Sequence, residues 1–173
     1  VSIEPLQQAI EGKKHGQYKI IFDRKPPQDF KLYLTLPEVN KVETNKATRG
    51  TTADTKPGSD YKLYYTYDLQ DSASDLQDSK SNRKSVDDKV EFISINHNDL
   101  KEDPNKPGSY YFILGAKVDN DTLYEDSSKE NLTISLKDNV VSIEDGYGVN
   151  TDPEKQTLTA QIQDNEPIVS LGN

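Results

Sequence analysis

Acidic and amide side chains gather at the ends of segments with an alternating apolar pattern. These candidates are Glu11, Asp60, Asn120, Asp121, Glu125, Glu130, Asp164, Asn165 and Glu166. Calcium takes six to eight oxygen ligands, mostly carboxylates and carbonyls, and tolerates irregular geometry. If the loops that carry these residues meet at one end of the fold, the sequence predicts a calcium site there. Because 30 residues of the chain are acidic, the alternative is a set of turn-forming and solvated carboxylates.

The sequence offers little for catalysis. Its only histidines, His15 and His97, stand in turn-like surroundings, and we expect both in exposed loops. The chain has no cysteine or tryptophan, and no motif typical of a nucleophile elbow, a phosphate loop or a zinc site. Paired carboxylates can hydrolyse glycosides, but here they lie on predicted turns without an aromatic platform. We therefore expect a protein that is not an enzyme.

The charge balance restricts the partners. The chain carries 30 acidic and 21 basic residues, a formal net charge of −9, which argues against nucleic acids and anionic membranes. No apolar run approaches the roughly 20 residues of a membrane span, so we expect no membrane insertion, and no signal peptide is visible. An acidic, polar chain without cysteine favours an extracellular or cell-surface location, in a bacterium. The absence of methionine suggests a fragment or processed form.

Apolar residues recur at every second position in six segments, which is the period of a half-buried strand. These segments are 18–22, 32–36, 63–67, 110–118, 132–136 and 158–162, and a seventh segment, 90–95, is a short apolar run. No segment repeats at 3.6 residues, so we expect almost no helix. Seven or eight strands joined by polar connections predict an antiparallel, all-β sandwich.

Two stretches, 37–58 and 68–88, are poor in apolar residues and are weak candidates for packed structure. The second contains a short repeat and is interpreted as an exposed polar insertion, either a plain solvated loop or a specific contact surface. Residues 1–5 and 167–171 resemble each other. Residues 1–166 would then form the domain, and residues 167–173 a linker or the start of the next module in a tandem array. A chance match is the alternative.

Six motifs, in the same order, resemble the Calx-beta family, calcium-binding modules of sodium–calcium exchangers and bacterial surface proteins. The motifs are Glu11-Gly12, Thr52-Ala53 with Gly58-Ser59-Asp60-Tyr61, Val90 to Ile95, Asn120-Asp121 with Tyr124-Glu125, Glu130-Asn131-Leu132, and Leu158 to Ile162 with Asp164-Asn165-Glu166. The resemblance covers essentially the whole chain. It implies an immunoglobulin-like Greek-key sandwich with calcium at one end, held by Glu11, Asp60, Asp121, Glu125, Glu130 and residues 164–166.

Some positions differ from the family pattern. Asn120 and Asn165 stand where the family has aspartates, and Arg49 stands where many members have an acidic or polar residue. The acidic hairpin is also longer than usual. Because amides contribute no charge, we expect a weak or partial calcium site.

The expected function is a structural or adhesive module in which calcium stabilises the domain and its junctions with sister modules. The alternative is a module that binds a surface glycan or protein without functional calcium. The 10 tyrosines would serve that alternative, since Tyr64-Tyr65 and Tyr110-Tyr111 each place one ring outward if the other faces in.

Overall fold

A computed structural model of the chain describes residues 1–10, 14–39, 47, 49–50, 61–67, 83–86, 92–118, 129–136, 141–143, 147–149 and 156–163. Within these residues the chain forms 13 β-strands and no helix. The strands are β1 Ser2–Gln7, β2 Ala9–Ile10, β3 Gly16–Phe22, β4 Phe30–Thr35, β5 Tyr61–Thr66, β6 Lys84–Ser85, β7 Phe92–Ile95, β8 Lys101–Glu102, β9 Tyr110–Val118, β10 Lys129–Leu136, β11 Val141–Ile143, β12 Tyr147–Val149 and β13 Thr157–Gln163.

The strands form two large sheets. The first sheet has the order β1-β3-β9-β5-β6, with β8 also paired to β9, and the second has the order β2-β13-β10-β4-β7. Strands β11 and β12 form a separate pair. Neighbouring strands are antiparallel, except β2 and β13, which are parallel. This all-β architecture is as predicted, and it is consistent with a β-sandwich.

Each of these seven segments overlaps a strand. Along β4 the alternation is complete, because Phe30, Leu32 and Leu34 are buried while the residues between them are exposed. The inward residues of both sheets join in one core. Its largest fully buried side chains are Tyr18, Tyr61, Phe22, Phe112, Ile20, Leu32, Leu34, Ile93, Ile95, Leu114, Leu132 and Ile134. Burial of this apolar area holds the two sheets together. Apart from β1, the strands outside the seven segments have only two or three residues. Such short strands cannot show an alternation of apolar and polar residues.

The outer face of the first sheet is also covered in part. Ile21, Tyr111 and Ile113 form a small buried cluster there. The turn after β8 is anchored beside it by Asp103, which is 2% exposed. Asp103 Oδ2 accepts a hydrogen bond from Lys19 Nζ at 3.3 Å, and Asp103 Oδ1 accepts one from the Asn105 backbone N–H at 2.9 Å.

The N-terminal strand is divided between the sheets. Strand β1 pairs with β3 in the first sheet, the register shifts between Pro5 and Gln7, and β2 pairs with β13 in the second sheet. One short stretch of chain therefore ties the two sheets together along one side of the core.

Parts of the two apolar-poor stretches are packed. Ala47 is 6% exposed, Arg49 is 4% exposed, and Val86 is 2% exposed and belongs to the core. Strand β6 pairs with β5, so residues 83–86 are part of the first sheet rather than of a loose insertion. Residues 68–82 and 87–88, like residues 167–173, lie outside the described residues.

Candidate metal centre

The predicted calcium ligands lie almost entirely outside the described part of the chain. Glu130 is the exception, since its backbone belongs to β10, but its side chain is not among those described. The structure therefore locates the strand ends that adjoin the predicted ligands, not the ligand side chains themselves.

In the second sheet, two of these strand ends lie side by side. Strand β2 ends at Ile10, directly before Glu11, and β13 ends at Gln163, directly before Asp164. Ile10 and Gln163 are partners in the parallel pairing of β2 with β13. The backbone of Glu130 is paired with Ile162, one residue away. The predicted ligands Glu11, Glu130 and Asp164 thus belong to three chain segments that meet at the same place in the second sheet.

In the first sheet, the strand ends that adjoin the remaining ligands also coincide. Strand β5 begins at Tyr61, directly after Asp60, and β9 ends at Val118, two residues before Asn120. Tyr61 and Val118 are partners in the pairing of β5 with β9.

A short segment links these two places. The Ala47 N–H donates to the Asn131 carbonyl at 2.8 Å, and the Gly50 N–H donates to the Tyr61 carbonyl at 2.7 Å. Ala47 is therefore bonded to the start of β10 in the second sheet, and Gly50, three positions later, to the start of β5 in the first. The strand ends that adjoin the predicted ligands consequently belong to one end of the fold.

Arg49 lies within this linking segment, buried and bridged by its backbone to Val39 and Tyr61. Its Nη1 donates to the Pro37 carbonyl at 3.1 Å. The guanidinium is always charged. A permanent positive charge therefore stands at the end of the fold where the sequence predicts a cation, which favours a weak site.

The expectation for His15 is wrong, because His15 is completely buried. It directly precedes β3, and its Nδ1 lies 3.1 Å from the Tyr64 hydroxyl. Tyr64 lies over Gly115 on the next strand, and the Arg83 guanidinium stands 4.8 Å from the Tyr64 ring centre. This His15–Tyr64 pair is a packed element of the outer face of the first sheet.

His97 lies in the turn after β7 and its side chain is 23% exposed. Its Nδ1 lies 2.5 Å from Asp29 Oδ1, and its backbone N–H donates to the same oxygen at 3.0 Å. These hydrogen bonds hold the pKa of the Asp29 carboxyl below its ordinary value. The contact joins the turn to the residue before β4, which is a structural role.

The outward-facing tyrosine of each pair does not present its ring to solvent. Tyr64 and Tyr111 point away from the core but are each only 6% exposed. Burial, and then the charge of Asp103, raises the pKa of Tyr111. Among the side chains that the structure describes, the exposed aromatic residue is instead Tyr33 on β4, which is 41% exposed and lies 5.8 Å from the ring of Phe92 on β7. The sequence could have indicated that Tyr33 is exposed, because the alternation of Leu32, Leu34 and Leu36 places Tyr33 on the outer face of the sheet.

Among the side chains that the structure describes, no three His, Cys, Asp or Glu residues are grouped closely enough to hold a metal ion. Within the same residues, no helix is long and apolar enough to cross a membrane.

No family model, no curated protein and no solved structure matches the chain. The resemblance to the Calx-beta family therefore rests on the six sequence motifs, and the site on the placement of the strand ends.

Proposed function

We propose that this protein is a calcium-binding structural or adhesive module of a larger bacterial extracellular or cell-surface protein. The observation that carries the proposal is the convergence of the ligand-adjoining strand ends: Ile10 beside Gln163 in one sheet, and Tyr61 beside Val118 in the other. Ligands from separate loops can surround one ion only if those loops start at the same end of the fold. Calcium, and sister modules joined near the ion, would be its partners.

The connections support an immunoglobulin-like Greek-key fold for this module. The first sheet places β9 between β3 and β5, and the second places β10 between β13 and β4. Strands that are distant in sequence are thus neighbours, and the chain passes repeatedly from one sheet to the other, as in Greek-key sandwiches. Strand β7, which lies at the edge beside β4, is an addition to that pattern.

The donor set suits a hard cation because it contains oxygen atoms only. The residues that would hold calcium are Glu11, Asp60, Asn120, Asp121, Glu125, Glu130, Asp164, Asn165 and Glu166. Without a cation, seven carboxylates at one end would repel each other. A bound calcium ion would supply the positive charge that lets the loops of both sheets approach, so its role would be structural.

Calcium should raise the melting temperature. Extracellular modules bind calcium at about 0.1–1 mM, so about 10 mM calcium adds about 1.4–2.7 kcal/mol to the free energy of unfolding. For a domain of this size that corresponds to a rise of roughly 3–11 °C. Thermal melting in EDTA and in calcium measures it.

Two variants make that experiment specific. Asp121→Asn should reduce the calcium-dependent rise, whereas Asp23→Asn should leave it unchanged, since Asp23 follows β3 at the opposite end and is exposed. Magnesium at the same concentration should have a smaller effect, because it demands stricter octahedral geometry. An unchanged melting temperature in about 10 mM calcium would exclude the structural role.

The outer face of the second sheet supports a second candidate function, the binding of a neutral glycan. Its outward residues are mostly hydroxyl-bearing: Thr35, Ser94, Thr133, Ser135, Thr157 and Thr159. Two cross-strand pairs of these hydroxyl groups are in contact, with oxygens 2.8 Å apart between Ser135 and Thr157 and 3.3 Å apart between Thr133 and Thr159. Tyr33 and Phe92 lie beside them. A ring for stacking next to hydroxyl groups is the chemistry that binds an uncharged sugar.

On this second candidate, Tyr33→Ala should weaken the binding of a neutral oligosaccharide by about tenfold, the loss of roughly 1.4 kcal/mol of stacking. A glycan array probed in calcium identifies the oligosaccharide, and calorimetric titration measures the affinity. Leu6→Ala is the matched control, since Leu6 is the other large apolar side chain found exposed among the described residues. If no neutral glycan is retained, or if both variants bind equally well, this candidate fails.

A further inference from the structure

Within the part of the chain that the structure describes, strand β13 has an open edge. Strand β10 pairs with one side of β13 along its whole length, from Thr157 to Gln163. On the other side β2 pairs only with Ile162 and Gln163. Among the described strands and bridges, none pairs with this side between Thr157 and Gln161. Backbone N–H and C=O groups along such an edge are a template for a further strand.

A groove of about 380 Å³ lies beside this open edge. Its walls are residues 5–8 and 158–161, and Tyr18 also lines it. The described residues that line it are all uncharged, in a chain of which 29% is charged. Leu6 is 46% exposed, and Leu158 and Ala160 are half-buried. The groove is therefore apolar enough to receive side chains, and it has no charge to match in a partner.

The strand across the groove is protected against pairing, but β13 is not. In β1, Pro5 has no N–H to donate, the register is irregular between Pro5 and Gln7, and Glu4 pairs with Lys106 at 3.1 Å. Such features are the usual protection of a sheet edge. Strand β13, with the sequence TLTAQIQ, contains no proline, glycine or charged residue. An unprotected edge next to an apolar groove favours a binding role.

We propose that the open edge of β13 binds an extended, uncharged peptide segment of a partner protein as an added strand. Backbone groups between Thr157 and Gln161 pair with the segment. Every second side chain of the segment enters the groove against Leu6, Leu158 and Ala160, because the side-chain period of a strand is two. The proposal does not depend on calcium.

A partner peptide fits this surface better than a second copy of the chain. Two β13 edges paired with each other would bury far less than the roughly 1,000 Å² of a stable interface. They would also bring no side chain larger than leucine to the groove. A peptide with its own large apolar residues fills the groove while pairing with the edge, although its small interface makes the affinity weak.

The test uses nuclear magnetic resonance of the isotopically labelled protein. The probe is an acetylated, amidated peptide of alternating threonine and phenylalanine, titrated to about 2 mM, a range suited to weak binding. We expect shifts at the amides of residues 157–161, and slowed hydrogen exchange at every second one of them, the amides that point away from β10. A second probe, the same peptide N-methylated at alternate residues, cannot complete the backbone pairing, and it should bind at least about tenfold more weakly.

Three variants separate the edge from the rest of the face. Thr159→Lys adds a charge to the edge strand and Ala160→Leu fills the groove, so both should weaken binding at least about tenfold. Thr133→Lys is the matched control, because Thr133 is the cross-strand partner of Thr159 on β10. It adds the same charge to the same face away from the edge and should change binding less than about twofold.

Several results would overturn the proposal. They are no shifts at the highest peptide concentration, equal binding of the N-methylated peptide, or equal weakening by Thr133→Lys. Concentration-dependent shifts of the same amides without peptide would identify a second copy as the occupant instead. A response to neutral oligosaccharide in place of peptide would assign the face to glycan.

Discussion

We expect Gly115→Ala to lower the free energy of unfolding by about 2–3 kcal/mol, or the melting temperature by roughly 4–12 °C. Gly115 on β9 is the cross-strand partner of Tyr64 on β5. A methyl group added there would stand 2.5 Å from both Cε atoms of the Tyr64 ring, well inside the 3.5–4.0 Å of carbon–carbon contact. The ring would have to leave its buried position, and the hydrogen bond between Tyr64 and His15 would be lost.

The sign of this prediction is informative, because alanine in a strand is ordinarily more stable than glycine by about 0.5–1 kcal/mol. Gly108→Ala is the matched control. A Cβ at Gly108 meets nothing within 4 Å, so only its positive φ of 90° would cost stability, about 1 kcal/mol. Urea unfolding measures both variants. If Gly115→Ala stabilises the protein, the packing of Tyr64 over Gly115 is wrong.

Asp103→Ala should lower the free energy of unfolding by about 2–4 kcal/mol. The substitution leaves Lys19 without its carboxylate partner. This loss is costly because the Lys19 side chain is only 14% exposed, so water can replace the carboxylate only in part. It also removes the oxygen that holds the Asn105 N–H at 2.9 Å. Full burial of both charges would cost about 3–5 kcal/mol, and we lower that figure because water reaches part of Lys19.

Two further variants distinguish the sources of this loss. Asp103→Asn keeps an oxygen for Asn105 but not the charge, so it should destabilise less than Asp103→Ala. Glu4→Ala is the control, because the Glu4–Lys106 pair is 3.1 Å long but its lysine side chain is 49% exposed, and such pairs contribute about 0–1 kcal/mol. Equal losses from Glu4→Ala and Asp103→Ala in denaturant titrations would show that the buried pair has no special role.

The long strands were predictable because they obey a local rule. Along β4 the large apolar residues occupy every second position, and this alternation indicates directly which face is buried. Strands β6 and β8 have two residues each, too few to show a period. Their existence depends on pairing with β5 and β9, which are distant in sequence, so no local pattern indicates them.

The His15 prediction failed for a related reason. The residues Lys-Lys-His-Gly are typical of a turn, and polar turns usually lie in solvent. His15 is buried because Tyr64, 49 positions later in the chain, covers the outer face of the first sheet. The prediction from local sequence also assumed that the outer face of each sheet is exposed to solvent. Ile21, Tyr111 and Ile113 show that part of this one is not.

For the candidate site, sequence and structure contribute different parts. The sequence supplies the oxygen donors and their positions beside strands. Only the pairing register supplies proximity: Ile10 and Gln163 are 153 positions apart in the chain and yet are neighbours in the second sheet. The ligand side chains themselves lie outside the described residues, so their coordination stays a prediction.

The division of the N-terminal strand between the sheets has a mechanical consequence. Ser2 of β1 lies at the opposite end of the fold from Ile10 of β2 and Gln163 of β13, because β1 pairs with the far end of β3. A force that pulls residue 1 away from residue 163 therefore acts along the strands. It loads the ladder of β1 with β3 and that of β2 with β13 in shear, so several hydrogen bonds must break together rather than one after another. A domain paired in this way resists stretching between residue 1 and residue 163, and the proposed surface module would need this resistance wherever it bears tension.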